Sequence, residues 1–295
     1  MFKPSPTTRL ILHLANLMVI VFILLPLVAV FIGAIQSEKS LQADTRRVLP
    51  AEVTADNFVV ILTKGEQKGR IFDQATYLPE NIKSFYAAFA NSAIVSVSVT
   101  LLTLLFGSLS AYTIARQRFR WTLFLMQANI VARFVPVIVL MIPLYVVMRS
   151  FGALNSLSGV IVAETGFLLP YAILILAPYF DTIPAELEEA ARIDGCSRLR
   201  AFIYIVIPLA TPALAACGVI IFIISWHELL IPLILNARPD FMTLPVVIAS
   251  LVGDVHVFFN LMMAICLLAL APTVVLVALL QKYIVEGLAA GAVKG

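Results

Sequence analysis

Few residues in this chain could do chemistry: three histidines, three cysteines and 17 acidic side chains among 295 positions. Cys196, Cys217 and Cys266 stand 21 and 49 positions apart, which gives neither a CxxC pair nor a metal-ligand spacing, so they read as reduced, structural thiols. No G-x-x-x-x-G-K-[ST] phosphate loop, H-E-x-x-H or G-x-S-x-G occurs, so nothing recommends ATP binding by this chain alone, or proteolysis. Three features remain. Arg133 is a cation inside an apolar run, Trp226-His227-Glu228 is a small polar cluster, and Asp181 to Ser197 is dense in acids. The first two could line the path of a polar solute, and the third could bind a protein.

The acidic segment, Asp181-Thr182-Ile183-Pro184-Ala185-Glu186-Leu187-Glu188-Glu189-Ala190-Ala191-Arg192-Ile193-Asp194-Gly195-Cys196-Ser197, reads as a short helix with its own start and stop. Asp181 or Thr182 can cap it, Pro184 fits the first turn, and Glu186, Glu188 and Glu189 lie where the helix dipole favours anions. Gly195 can end it in a left-handed conformation. A second helix can start at Ser197 and run to Tyr204, then lead through Ile205-Val206-Ile207-Pro208 into an apolar span. The segment 183–204 is then a knuckle at the membrane face. Ala190, Ala191 and Gly195 leave its backbone accessible beside Glu189 and Asp194, as suits a knob entering a groove. A helix lying on headgroups would favour a cationic face over a run of acids.

These residues sit in a membrane protein. Hydrophobic residues make up 61% and charged residues 13%, against roughly 25% charged in soluble domains. Residues 10–35, 84–115, 201–227 and 255–281 contain no Asp, Glu, Lys or Arg, and each exceeds the ~20 residues that cross a bilayer. Two interrupted runs bring the total to six spans, at about 10–35, 86–115, 122–148, 158–180, 202–229 and 256–282. The expected fold is an all-α integral membrane protein forming one transmembrane domain over 1–295. The first run is far too long for a signal peptide. Arg116, Arg118 and Arg120 mark a cytoplasmic loop, which puts both termini inside. Loop 36–85 lies outside, and its cations nearly cancel that bias. It reads equally as a packed cap that could touch a soluble partner or as a solvated linker. A net charge of +3 gives no argument for nucleic acid.

Pro26, Pro136, Pro143, Pro170, Pro178, Pro208, Pro212, Pro232 and Pro272 lie within or at the ends of spans, where broken helices suit a bundle around a path as well as plain kinking. Arg133 at mid-depth costs at least ~2.5 kcal/mol on insertion scales, so it should face a cavity, a carboxylate or the carbonyl of Ala132 freed by Pro136. If it lines the path, it favours an anionic or hydroxyl-rich solute. Trp226, His227 and Glu228 are path candidates, with interfacial anchoring as the plainer alternative. Glu164 has the same interfacial reading.

Glu189-Ala190-Ala191, three residues, Gly195, nine residues, Ile205-x-Ile207-Pro208 resembles the EAA signature of ATP-binding-cassette importer permeases, with Ile207 where Leu is usual. Ile183-Pro184, Trp226-His227-Glu228-Leu229-Leu230-Ile231-Pro232 and the tail from Gly287 to Gly295 are similar to the carbohydrate branch, especially the smaller permease subunit of the maltose-type transporter. Asn is usual at His227, so the family's polar contact is not carried over there. The resemblance implies a type I importer fold, a cytoplasmic coupling helix, and docking on an ATPase subunit through Glu189, Ala190, Ala191, Asp194, Gly195 and Pro208. It also implies a tail, 284–295, touching the ATPase subunits through Gly287, Gly291, Lys294 and Gly295. The implied partners are a second related permease, two ATPase subunits holding ATP and Mg, and an extracytoplasmic solute-binding protein, at a bacterial inner membrane. The implied cargo is a sugar or oligosaccharide, with a polyol, glycerol phosphate or acidic oligosaccharide as alternatives. An ion-coupled secondary transporter would need acids deep in the spans, and a scaffold would tolerate loss of the prolines and Arg133.

Overall fold

In hydrocarbon, a chain segment must satisfy its own amides, so the uncharged runs fold as long helices. The computed structural model describes residues 5–43, 52–67, 80–117, 121–253 and 257–292, and all regular elements among them are helical. α1 (Pro6–Ala34) starts on Ser5, whose hydroxyl accepts from the Thr8 amide. α2 (Glu38–Ala43), α3 (Asp56–Leu62) and a 3-10 turn (Glu80–Ser84) occupy the first loop before α4 (Phe85–Arg116). α5 (Thr122–Phe134) and α6 (Val137–Ser150) precede α7 (Leu157–Thr182). The knuckle holds α8 (Ala185–Ile193), α9 (Arg198–Ala201), a π-helical turn (Phe202–Val206) and α10 (Ile207–Leu209). α11 (Thr211–Trp226), α12 (Leu230–Leu235), α13 (Leu244–Ser250) and α14 (Phe259–Ala292) complete the order.

Among the described residues, four helices, Thr7–Ala34, Ile82–Arg116, Leu157–Thr182 and Phe259–Tyr283, are long and apolar enough to cross a membrane, and the number rises to six if each of two bent pairs is one span. The stretch 122–148, expected as one span, is broken by 99° between α5 and α6. Pro136 explains the break: a residue before proline is driven out of the helical region, and Val135 is extended at φ −76, ψ 114. The stretch 202–229 is likewise bent, by 78° at Ala210. Pro170 and Pro178 lie inside α7 without ending it.

The chain divides into two compact units, Met1–Phe85 with Ile248–Ala271 and Tyr86–Val247 with Pro272–Gly295. In the first, one face of α3 in the 36–85 loop is packed: Asn57, Val60 and Ile61 are fully buried. Asn57 donates through Nδ2 to the carbonyls of Ala34 and Gln36, both at 2.8 Å, and accepts from Asn260 Nδ2 at 2.7 Å. It thereby satisfies carbonyls at the end of α1 that have no intrahelical donor. Asn57→Ala is expected to destabilise the purified chain by about 1–3 kcal/mol, read as a lower melting temperature in detergent, because buried acceptors are left unpaired.

In the second unit, α7 packs against α5, α11 and α12. Val160, Leu168, Ala172, Leu176 and Phe180 repeat every fourth or eighth position and are buried, which defines one face of α7. Small residues allow the close approach. A Cβ added at Gly107 of α4 would lie 2.5 Å from Ala172 Cβ, so only glycine fits that crossing.

Candidate functional site

The knuckle is built first by its backbone. Asp181 and Thr182, expected as caps, lie instead in the last turn of α7, and α8 begins directly after Pro184 at φ −56, ψ 128, with no side-chain cap. Proline at that point preorganises the first turn, and Glu186 and Glu188 sit in it, near the positive end of the dipole. Gly195 stands at φ +88, the Cys196 amide donates to Ala191 O at 2.9 Å, and the Gly195 amide donates to Arg192 O at 3.1 Å. Ser197 then caps α9 through the Arg200 amide.

One buried ion pair anchors the knuckle to the bundle. Arg116, in the last turn of α4, donates from Nε to Glu188 Oε1 at 2.6 Å and from Nη2 to the Ile183 carbonyl at 2.7 Å. The Tyr112 hydroxyl donates to the other Glu188 oxygen at 2.5 Å. Side-chain exposures of 15% for Arg116 and 9% for Glu188 make this a largely desolvated, charge-assisted pair. Beneath it, Tyr112 packs on Phe202 of the π-turn with centroids 4.6 Å apart, and Phe180 of α7 meets both rings edge-on.

With Glu188 turned inward, Glu189, Ala190, Asp194 and Gly195 are exposed and Ala191 is half-buried. Ile193 is 87% exposed at the tip. The surface is an acidic rim around an apolar point with bare backbone at Gly195. Pro208, on exposed α10, lies beyond the π-turn. Gly287 and Gly291 fall within α14, and Lys294 and Gly295 lie outside the described residues, as do Arg118 and Arg120.

The path candidates separate. Arg133, in the last turn of α5, places Cζ 3.8 Å from the centroid of the Tyr171 ring on α7, a cation–π contact. It pairs with no carboxylate among the described residues. α5 ends at Phe134, so the Ala132 carbonyl belongs to a helix terminus, where carbonyls lack intrahelical donors in any case, and Arg133 turns to Tyr171 instead. Trp226 is 2% exposed, stacked on Phe222 and edge-on to Phe89, so it packs in the interior and not among headgroups. His227 is exposed, with Nδ1 2.9 Å from the Ile223 carbonyl. Glu228 Oε1 accepts from the Leu230 and Ile231 amides and so caps α12. Arg133 and Glu228 line one cavity, together with Glu164. Glu164 is buried there and accepts from Ser225, which replaces the interfacial position expected for it.

Residues 103–289, nearly two-thirds of the chain, match the family described as "Binding-protein-dependent transport system inner membrane component". The chain belongs to this family. As a permease of that family it is a transport component and not a catalyst. It is 30% identical over 280 residues to the Trehalose transport system permease protein SugB of Mycobacterium tuberculosis, covering 94% of this chain and 95% of the relative. It is 34% identical over 205 residues to the Sulfoquinovosyl glycerol transport system permease protein SmoH of Agrobacterium fabrum, covering 70% and 72%. A chain in the crystal structure of a bacterial ABC transporter involved in the import of the acidic polysaccharide alginate has the same fold, with a TM-score of 0.73 over 96% of this permease and 99% of that chain at 21% identity.

Sequence reasoning missed four residues of this permease: Tyr112, Arg116 and Glu188 as one anchor, and Glu164 as a cavity wall. The first three are brought together from 72 and 76 positions apart, and no local spacing announces them. Glu164 did carry a signal, because it lies four residues before Leu168 on the buried face of α7.

Proposed function

We propose that this chain forms half of the translocation path of an ATP-driven importer for a sugar or oligosaccharide. It pairs with a second related permease and stands on two cytoplasmic ATPase subunits, which bind ATP and Mg. An extracytoplasmic binding protein delivers the solute, and both termini face the cytoplasm. The observation that carries this reading is the knuckle: an exposed acidic and apolar knob, Glu189 to Gly195, held to the bundle by a buried ion pair. Such a knob has the shape for a protein cleft, and its anchor would pass a displacement into α4 and α7. ATP-driven closure of the ATPase pair would then rock the bundle between inward- and outward-facing states. Gly287, Gly291, Lys294 and Gly295 are the proposed contacts of the tail with the ATPase subunits.

The carbohydrate class is supported by relatives named for trehalose and for sulfoquinovosyl glycerol. Arg133 favours a second reading, an anionic solute, because its guanidinium borders the cavity without a carboxylate partner among the described residues. Purification from the native membrane in mild detergent tests the assembly. A companion permease, an ATPase and hydrolysis stimulated by one loaded binding protein are expected, and Glu189→Lys should remove that stimulation without preventing membrane insertion. A chain that purifies alone, with no ATPase, would overturn the reading.

A further inference from the structure

Glu164 stands seven residues into α7 and is only 2% exposed. Its Oε2 accepts from Ser225 Oγ on α11 at 2.5 Å. Its Oε1 is equally buried and meets no donor among the described residues. Leaving such an acceptor unpaired is costly, and a hydroxyl that enters beside it recovers the cost. The space beside it is a cavity of about 150 Å³ whose wall also carries Arg133, Phe167, Tyr171 and Glu228. At roughly 30 Å³ per water, that is room for about five waters, the scale of one pyranose ring.

We propose that this cavity is a subsite for one ring of a neutral, hydroxyl-rich solute, with Glu164 taking a ring hydroxyl and Phe167 and Tyr171 supplying aromatic wall. The proposal rests on the reading of the chain as a glycoside importer subunit and narrows its cargo. Arg133 by itself would favour an anion. It is engaged over the Tyr171 ring, however, and shares the cavity with two acidic side chains, Glu164 and Glu228. An entering carboxylate or sulfonate carries only acceptors, so it brings no donor to the unpartnered Oε1 of Glu164. A hydroxyl is donor and acceptor at once, so it satisfies a carboxyl in either protonation state, and it can also accept from the guanidinium.

The test uses the complete importer with its own ATPase and binding protein in proteoliposomes. ATP-driven uptake is measured for a panel of neutral disaccharides that includes trehalose and maltose, and for two acidic probes, sulfoquinovosyl glycerol and an alginate disaccharide. The wild type is expected to carry neutral probes in preference to acidic ones. Glu164→Leu, which removes the acceptor, should cut that uptake about tenfold or more in a complex that still co-purifies with its ATPase. Glu164→Gln, which keeps an acceptor, should lie closer to wild type. Tyr171→Ala should also lower uptake, and it decides the matter if Glu164→Leu does not assemble. Wild-type rates in an assembled Glu164→Leu complex, wild-type rates in Tyr171→Ala when Glu164→Leu does not assemble, or preference for the acidic probes, would overturn the subsite. An assembled complex that hydrolyses ATP yet carries no glycoside of either kind would instead overturn the importer reading on which it rests.

Discussion

Arg116→Ala is expected to insert and fold as a bundle yet lose most ATP-driven uptake, by tenfold or more. Removing one partner of a largely buried pair leaves Glu188 uncompensated, at a cost of about 3–5 kcal/mol. α8 spans only nine residues, too few to hold its place without tertiary contacts. Arg116 also supplies the donor for the Ile183 carbonyl, at the hinge between α7 and α8, so two supports go together. The local consequence is faster amide exchange across Ala185–Ile193, measured by hydrogen exchange, with the apolar core of α7 unchanged. Glu188→Ala should behave alike, leaving the guanidinium unpaired. Replacing both by methionine removes the desolvated charges together and should recover part of the lost uptake. Single variants that transport at the wild-type rate would refute the anchor.

Gly195→Pro is expected to have an effect of similar size, from a different cause. Gly195 sits at φ +88, and proline fixes φ near −65° and lacks the amide that donates to Arg192 O. The turn between α8 and α9 cannot form in its present shape, at a cost of about 3 kcal/mol or more. Alanine separates the conformational part from any steric one. Nothing lies within 4 Å of a Cβ added at Gly195, so Gly195→Ala is charged only the left-handed penalty of about 1–2 kcal/mol. Uptake assays should therefore rank wild type above Gly195→Ala, and Gly195→Ala well above Gly195→Pro. Equal loss in both variants would mean that the bare backbone at the tip, and not its conformation, matters at this position.

The parts of the molecule legible in sequence are those governed by local physics. Charge-free runs gave the long helices because hydrocarbon leaves a chain no other way to satisfy its amides. Glycine at 195 and the acids after Pro184 located α8 because dipole and backbone preferences act within one turn. The 99° break at Val135 was written in Pro136, although hydropathy alone, which averages over the break, joined the two helices into one span. What stayed hidden depends on faces meeting across long separations. Glu188 looked like one of three acids serving the dipole, and only the approach of α4 turns it inward. Distance from a span end points Trp226 and Glu164 to the interface, whereas helical phase puts both in the interior. For Glu164 that phase was available in Val160, Leu168 and Ala172, and it outweighs depth as a guide to surroundings.

The 78° turn at Ala210 makes the stretch from Arg198 to Trp226 a bell-crank. Its short arm, Arg198–Leu209, follows the anchored knob, and its long arm, α11, is 16 residues or ~24 Å. Under the proposed docking, a sideways shove on the short arm would be turned through nearly a right angle into a thrust along the long one. Ser225 stands near the far tip of that arm, with its hydroxyl against Glu164. Under that docking, leverage applied at the knob would be delivered to a single polar contact at the far end of α11.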